Sequence, residues 1–179
     1  QIKVNDSEFK RVIPKEKVEE AVRKSAQQLN QDYADGDIPV FLSVLNGSFM
    51  FTASLMKYID FLSELSFVKM ASYCGTSSTG QVKQLIGLSD SLRGRRVIIV
   101  EDIVDTGHSM DFLYRQFQAR GARSLRLAVL VDKNERREVP VTSHFVGFTL
   151  PSGFVVGYGL DYAEGYRELP AIYEAAIEQ

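Results

Sequence analysis

The sequence predicts an α/β fold: a central, mostly parallel sheet flanked by helices. Two observations carry this. Segments with strand patterning alternate along the chain with segments of helical spacing. Val97-Ile98-Ile99-Val100 sits in a run, Arg96 to Val104, that is aliphatic without alternation, and so short a run implies cover on both faces of a parallel sheet. Parallel neighbours joined through helices are connected right-handedly.

Pro14 suits a first helical turn, and Val18, Val22, Ala26 and Leu29 recur at helical spacing, so Lys15 to Asp32 is expected as a helix that Gly36 helps to end. Pro39 to Leu45 is a short β-rich run, and Asn46-Gly47-Ser48 then opens a helix over Phe49 to Ile59. Leu65 to Tyr73 and Val82 to Leu88 read as strands joined by CGTSSTGQ, which has no large apolar anchor and is expected to move. After the strand Arg96 to Val104 comes a helix from Met110 to Arg120, with Gly121 placed as a left-handed cap. Strands are expected over Ser124 to Val131, Phe145 to Leu150 and Phe154 to Tyr158. No internal repeat, long linker or change of composition divides the 179 residues, so a single domain is expected over 1–179.

Bulk properties narrow the function. A net charge of -2 gives no overall field that would draw the chain to nucleic acid or an anionic membrane. Cys74 is the single cysteine, and with only His108 and His144 beside it no zinc-type cluster is available. No signal-peptide pattern and no membrane-length apolar run is visible, so a soluble cytoplasmic protein is expected.

The informative stretch is VIIVEDIVDTGHSM, residues 97–110, an oily strand ending in three carboxylates and a Thr-Gly turn. In open α/β sheets ligands bind beyond the carboxyl ends of the strands, where Glu101, Asp102 and Asp105 stand. The turn from Asp105 to Ser109 leads into a helix, and its N–H groups and hydroxyls can surround a phosphate. Acids for sugar hydroxyls beside amides for a 5'-phosphate suggest one sugar phosphate. Glu101 and Asp102 point to opposite faces of a regular strand, so both reach one ligand only where the strand twists or ends. The alternative is structural: Asp-Thr-Gly is a common turn, and Asp105 or Ser109 can simply cap the helix.

This stretch resembles the phosphoribosyl-pyrophosphate binding segment of type I phosphoribosyltransferases, in the form found in hypoxanthine-guanine phosphoribosyltransferases. Four further pieces resemble that family in order: Leu45-Asn46-Gly47-Ser48, Ala71-Ser72-Tyr73, Lys133, and the run from Phe154 to Tyr162 with Arg167 beyond. The resemblance implies transfer of phosphoribose to N9 of hypoxanthine or guanine, with xanthine open, and release of pyrophosphate. It also implies Mg2+ as cofactor, a homodimer or homotetramer, and a small hood over the purine built from the chain ends, about residues 1–15 and 145–179.

Residue by residue, the resemblance implies that Glu101 and Asp102 hold the ribose hydroxyls, directly or through metal-bound water. Asp105, Thr106, Gly107, His108 and Ser109 are implied to hold the 5'-phosphate, His108 through its backbone. Asp105 is the implied general base at purine N7, a role that needs burial or a nearby phosphate to strengthen a weak base. Lys133 is implied to donate to the 6-oxo group, where the 6-amino group of adenine would leave two donors facing each other. Phe154 corresponds to the stacking aromatic and Val155 to the residue whose main chain reads C2. Asp161 corresponds to a magnesium ligand on the pyrophosphate side of the purine site. Leu45, Asn46, Gly47 and Arg167 correspond to the pyrophosphate site, and Ser72 and Tyr73 to the loop that closes over the reaction.

Two departures stand out. Asn46 occupies a position where many relatives carry Lys, and Gly153 one where some carry Lys beside the base. Arg136 and Arg137 read as solvated surface. The second functional reading is a regulator of the same fold that senses phosphoribosyl pyrophosphate and binds nucleic acid, although no basic face is apparent. A nicotinamide-binding fold would need a Gly-x-Gly-x-x-Gly turn after the first strand, which is missing.

Overall fold

The structure is a computed structural model that describes residues 2–4, 7–74, 81–88 and 91–175. Its larger sheet has six strands in the order β5-β4-β3-β6-β7-β8, formed by Gln81–Ile86, Glu64–Cys74, Val40–Leu45, Arg96–Val104, Ser124–Lys133 and Phe145–Leu150. All neighbours are parallel except β4 and β5. Helices cover both faces. On one lie α1, Lys15–Asp32, and α2, Phe49–Met56, over Phe41, Ile98, Val100, Ala128 and Leu130. On the other α3, His108–Ala119, seats Met110, Leu113 and Phe117 against Leu42, Val97, Ile99 and Val129. Two-sided cover explains why β3 and the first half of β6 show no alternation.

Several boundaries differ from the sequence reading for local reasons. Helix α2 stops at Met56, and Asn30 near the end of α1 ties down the segment beyond it: its side-chain N–H donates to the Tyr58 carbonyl at 2.9 Å and its Oδ1 accepts the Asp60 N–H at 3.0 Å. Helix α3 begins at His108, two residues early, because Gly107 at φ 96° supplies the turn and its carbonyl accepts the Asp111 N–H at 3.0 Å. Gly121, at φ 87°, sits where the left-handed cap was expected. The strand expected over Phe154 to Tyr158 shortens to β9, Val155–Val156, because Gly157 and Tyr158 turn left-handed.

The chain ends form a second sheet that strand patterning had not indicated. It runs β1-β2-β10-β9, with β1 at Ile2–Val4, β2 at Ser7–Ile13 and β10 at Ile172–Ala175. Phe145–Leu150, within the C-terminal segment expected to contribute to the hood, is the edge strand of the larger sheet, paired with β7. Val155, Ile172 and Ile13 pack into the same core as α1 and α2, which seats the small sheet at the end of the large one.

Candidate active site

The strand pairing opens a notch where the acids stand. β3 pairs with β6 only as far as Ser43–Val100, whereas β6 continues beside β7 to Val104. The chain leaves β3 through α2 to one side and leaves β6 through α3 to the other. This is the switch point at which open α/β sheets form a crevice.

Two adjoining cavities occupy it. The larger, about 410 Å³, is lined by Asp102, Asp105, Lys133, Phe154, Val155 and Asp161, together with Ile103, Arg136, Gly153 and Leu160. The smaller, about 190 Å³, is lined by Glu101, Asp105, Thr106, Gly107 and Ser109 with Ile103, Val104 and Met110. Ile103 and Asp105 belong to both. Glu101 and Asp102 thus face different cavities, as strand alternation requires, within one continuous crevice. His108 lines neither: its Nε2 lies 2.6 Å from Glu138 Oε2 at the surface.

The acids are held out of water. Burial pushes the Glu101 carboxyl well above the ordinary carboxylate range, and the neighbouring charge of Asp102 adds to this. Burial also raises Asp102, opposed by hydrogen bonding to Glu101 and by the Ile103 N–H, which donates to its Oδ1 at 2.8 Å. Asp105 Oδ1 is buried with no hydrogen-bond partner among the described residues, while Oδ2 lies 3.6 Å from Arg136 Nη1. An orphaned buried acceptor inside a cavity is a group poised for a ligand.

The turn after β6 is braced by the segment after β7. Glu138 and Val139 N–H both donate to the Thr106 carbonyl, at 2.8 and 3.0 Å, and Arg137 Nε donates to the Asp105 carbonyl at 3.0 Å. Arg137 also pairs with Asp132 and donates to the Lys133 carbonyl. The expectation that Arg137 is solvated surface is therefore corrected: it is an internal strut between the two strand ends. Arg136, expected outside, lines the larger cavity. The one sequence signal for either was a tandem arginine three residues after Lys133.

Lys133 ends β7 and is only 6% exposed. Burial pushes its ammonium pKa down, the charges of Asp105 and Glu174 pull it up, and among the described residues no ion pair holds it. A neutral acceptor would complete its hydrogen bonding. Phe154 is 43% exposed and meets Phe9 and Tyr162 edge-on at 6.2 and 5.7 Å, leaving ring surface toward the cavity. In the β9–β10 ladder Ala175 N–H donates to the Phe154 carbonyl, so at the Glu174–Val155 pair the peptide groups of Val155 turn away from β10. They are free to meet a ligand.

Around the rim, Asp161 Oδ2 accepts from Glu164 N–H at 3.0 Å and lies 3.5 Å from Arg167 Nη2. Arg167 Nη1 donates to the Gly159 carbonyl at 2.6 Å. The Leu45–Asn46 peptide is cis. Gly47 leaves no room for a Cβ, which would collide with the Asp102 carboxylate, and a Cβ on Gly159 would strike the Gly47 carbonyl. Leu45, Asn46, Gly47 and Arg167 do not line the larger cavity; Gly47 abuts it through Asp102 and Arg167 through Asp161. Behind the loop Ser43 Oγ meets Ser48 Oγ and Thr52 Oγ1 at 2.7 Å each, fully buried. Ser72 and Tyr73 stand near the end of β4, paired in backbone with Lys83 and Val82; their side chains and residues 75–80 lie outside the described set.

The chain is similar to known proteins over most of its length. Residues 10–163 match the phosphoribosyl transferase domain family. The chain is 44% identical over 151 residues to a hypoxanthine-guanine phosphoribosyltransferase of Streptococcus pyogenes, covering 84% of this chain and 83% of the relative. It is 40% identical over 162 residues to that of Bacillus subtilis, covering 90% and 89%. The crystal structure of a hypoxanthine-guanine phosphoribosyltransferase from Bacillus anthracis superposes with a TM-score of 0.82 at 35% identity, covering 94% of this chain and 99% of that one. With the crevice, its acids and these matches in agreement, the chain belongs to the hypoxanthine-guanine phosphoribosyltransferases of the phosphoribosyl transferase domain family.

Proposed function

We infer that this enzyme serves purine salvage, transferring the 5-phosphoribosyl group of phosphoribosyl pyrophosphate to N9 of a 6-oxopurine. The N9–C1' bond forms, the C1'–O bond to pyrophosphate breaks, and the bonding pair leaves with pyrophosphate. The observation that carries the reading is that Asp105, Lys133, Phe154 and Asp161 line one cavity, which adjoins another lined by the Asp105–Ser109 turn.

In this reading the small cavity takes the 5'-phosphate through the turn amides and the Thr106 and Ser109 hydroxyls. Glu101 and Asp102 face the ribose, whose hydroxyls would add donors to two desolvated carboxylates that otherwise receive the Asp102 and Ile103 N–H groups. Lys133 donates to the 6-oxo group, Phe154 stacks on the base and the Val155 main chain meets C2. Asp105 Oδ1 removes the purine proton at N7. Arg167 and the Leu45–Gly47 loop receive pyrophosphate. Positioning and neutralisation of the leaving group supply most of the rate.

Magnesium suits these residues. Among the described residues no three carboxylates, histidines or cysteines form a cage, but Mg2+ bound mainly by phosphate oxygens and water needs only one or two protein carboxylates. Asp161 supplies one at the rim, and Glu101 and Asp102, whose desolvated charges favour a nearby cation, add outer contacts through water. Bound there, Mg2+ would neutralise charge on the departing pyrophosphate.

We also propose a homodimer or homotetramer. Leu65, Phe67 and Ile86 expose apolar surface on one face of the β4–β5 edge, and Phe49 and Leu62 are exposed as well. A sedimentation mass equal to one chain would remove this assignment. No helix of the described residues is long and apolar enough to cross a membrane, and a lone cysteine suits a reducing cytoplasm. The function is tested by turnover of hypoxanthine, guanine, xanthine and adenine with phosphoribosyl pyrophosphate and magnesium. Adenine turnover matching hypoxanthine would overturn the 6-oxopurine assignment.

A further inference from the structure

Against Gly153, at the base end of the larger cavity, stands an acid to which the proposed transfer reaction gives no role. Gly153 lines the cavity at φ 107°, and a Cβ there would collide with Glu174 Oε1. The Glu174 carboxylate thus occupies the space that a side chain at position 153 would fill. It is partly exposed and has no hydrogen-bond or ion-pair partner among the described residues. Its position is fixed by two ladders, opposite Val155 on β9 and Lys10 on β2. Residues directly opposite share a face of the sheet, so Glu174 projects to the side on which Val155 is buried. Its charge reaches Lys133, as does that of Asp105.

The order of groups around a purine gives this acid a task. Along one edge the ring presents N7, the 6-oxo group, N1–H and then C2. With Asp105 at N7 and Lys133 at the 6-oxo group, the N1–C2 edge faces the remaining wall, which is Gly153 and Val155 with Glu174 behind them. An ionised carboxylate only accepts hydrogen bonds. Guanine offers it two adjacent donors, N1–H and the 2-amino group. Hypoxanthine offers N1–H alone, and xanthine sets a 2-oxo acceptor against it. We propose that Glu174 is a specificity-determining residue that accepts from N1–H and the 2-amino group, ranking guanine above hypoxanthine and both above xanthine. The inference rests on the phosphoribosyltransferase reading and deepens it. Glycine at 153 and the acid at 174 act as a pair, the first making room for the second.

The test is steady-state kcat/KM of the full chain for the three bases, with phosphoribosyl pyrophosphate and Mg2+, in wild type, E174Q and E174A. Wild type should prefer guanine to xanthine by about tenfold or more, the scale of a charge-assisted hydrogen bond. In E174Q an amide N–H can meet the 2-oxo group, so the guanine-to-xanthine ratio should fall by about tenfold, and E174A should narrow guanine over hypoxanthine. Ratios do not depend on the fraction of folded variant. Wild type using xanthine as well as guanine, or ratios unmoved in both variants, would overturn the proposal. Wild type turning over none of the bases would remove the transferase reading, and this inference with it.

Discussion

The two ends of the crevice are built in opposite ways. The end proposed for the sugar phosphate is contiguous: Glu101 to Ser109 supply its acids and turn, carried on one strand and one helix. The base end is collected from β7, the Gly153–Val155 run and the turn at Asp161, and is backed by Phe9 of β2 and Glu174 of β10. Contiguity makes the first end local and rigid. Assembly from distant segments lets the second end change one wall at a time, as the Gly153 and Glu174 pairing shows.

The largest expected effect tests the one acid common to both ends. Asp105→Asn should lower kcat by about 10²- to 10⁴-fold, the usual range for loss of a general base, with little change in KM for either substrate. A steady-state comparison checks this, and an unchanged kcat would remove Asp105 from the base role. Next is Lys133→Met at the base end, where kcat/KM for hypoxanthine should fall by about 10- to 100-fold through loss of a charged donor.

The same change should have the opposite sign in stability, because a buried, unpaired ammonium costs free energy in the empty protein. Lys133→Met should raise unfolding free energy by about 1 kcal/mol in urea titration near neutral pH. The pH dependence follows from the lowered pKa of Lys133. Folded protein sheds this proton before unfolded protein does, so the penalty is present below the folded value and is relieved as pH climbs from there toward 10.5. The gain from Lys133→Met should shrink over that alkaline window, and a constant gain would contradict the burial argument.

At the local end, Arg137→Ala should cost about 2 kcal/mol in unfolding free energy, since Asp132 loses its ion-pair partner and the Asp105 and Lys133 carbonyls lose donors. Urea titration measures it. The smallest effect belongs to His108→Ala. Its exposed contact with Glu138 should contribute less than about 1 kcal/mol, and kcat/KM should stay within about twofold if the backbone alone serves the phosphate.

The contrast also explains what could be read from sequence. The run from β6 to α3 was legible because strand, turn and helix signals are adjacent and the proposed sugar-phosphate site falls on the same residues. Helix α1 was legible from its spacing. β2 and β10 were not, because they are ordered by pairing with each other across most of the chain length and carry little local pattern. Phe154 to Tyr158 misled through its apolar run, which the left-handed Gly157 and Tyr158 cut short. Arg137 was misjudged because nothing local tells a folded-back guanidinium from a solvated one. Of the residues lining the two cavities, Glu101, Asp102, Asp105, Lys133, Phe154 and Asp161 were named from the resemblance; Arg136, and Glu174 against Gly153, emerged only once distant segments had met.

Gly47 and Gly159 abut main chain against side-chainless main chain, with Asp102 pressed on the first and Arg167 tethering the second. Randomising both codons together under selection for purine growth should therefore return glycine at each. Such a pattern would mark the seam between the Leu45–Gly47 loop and the Gly159 turn as the least evolvable part of the enzyme.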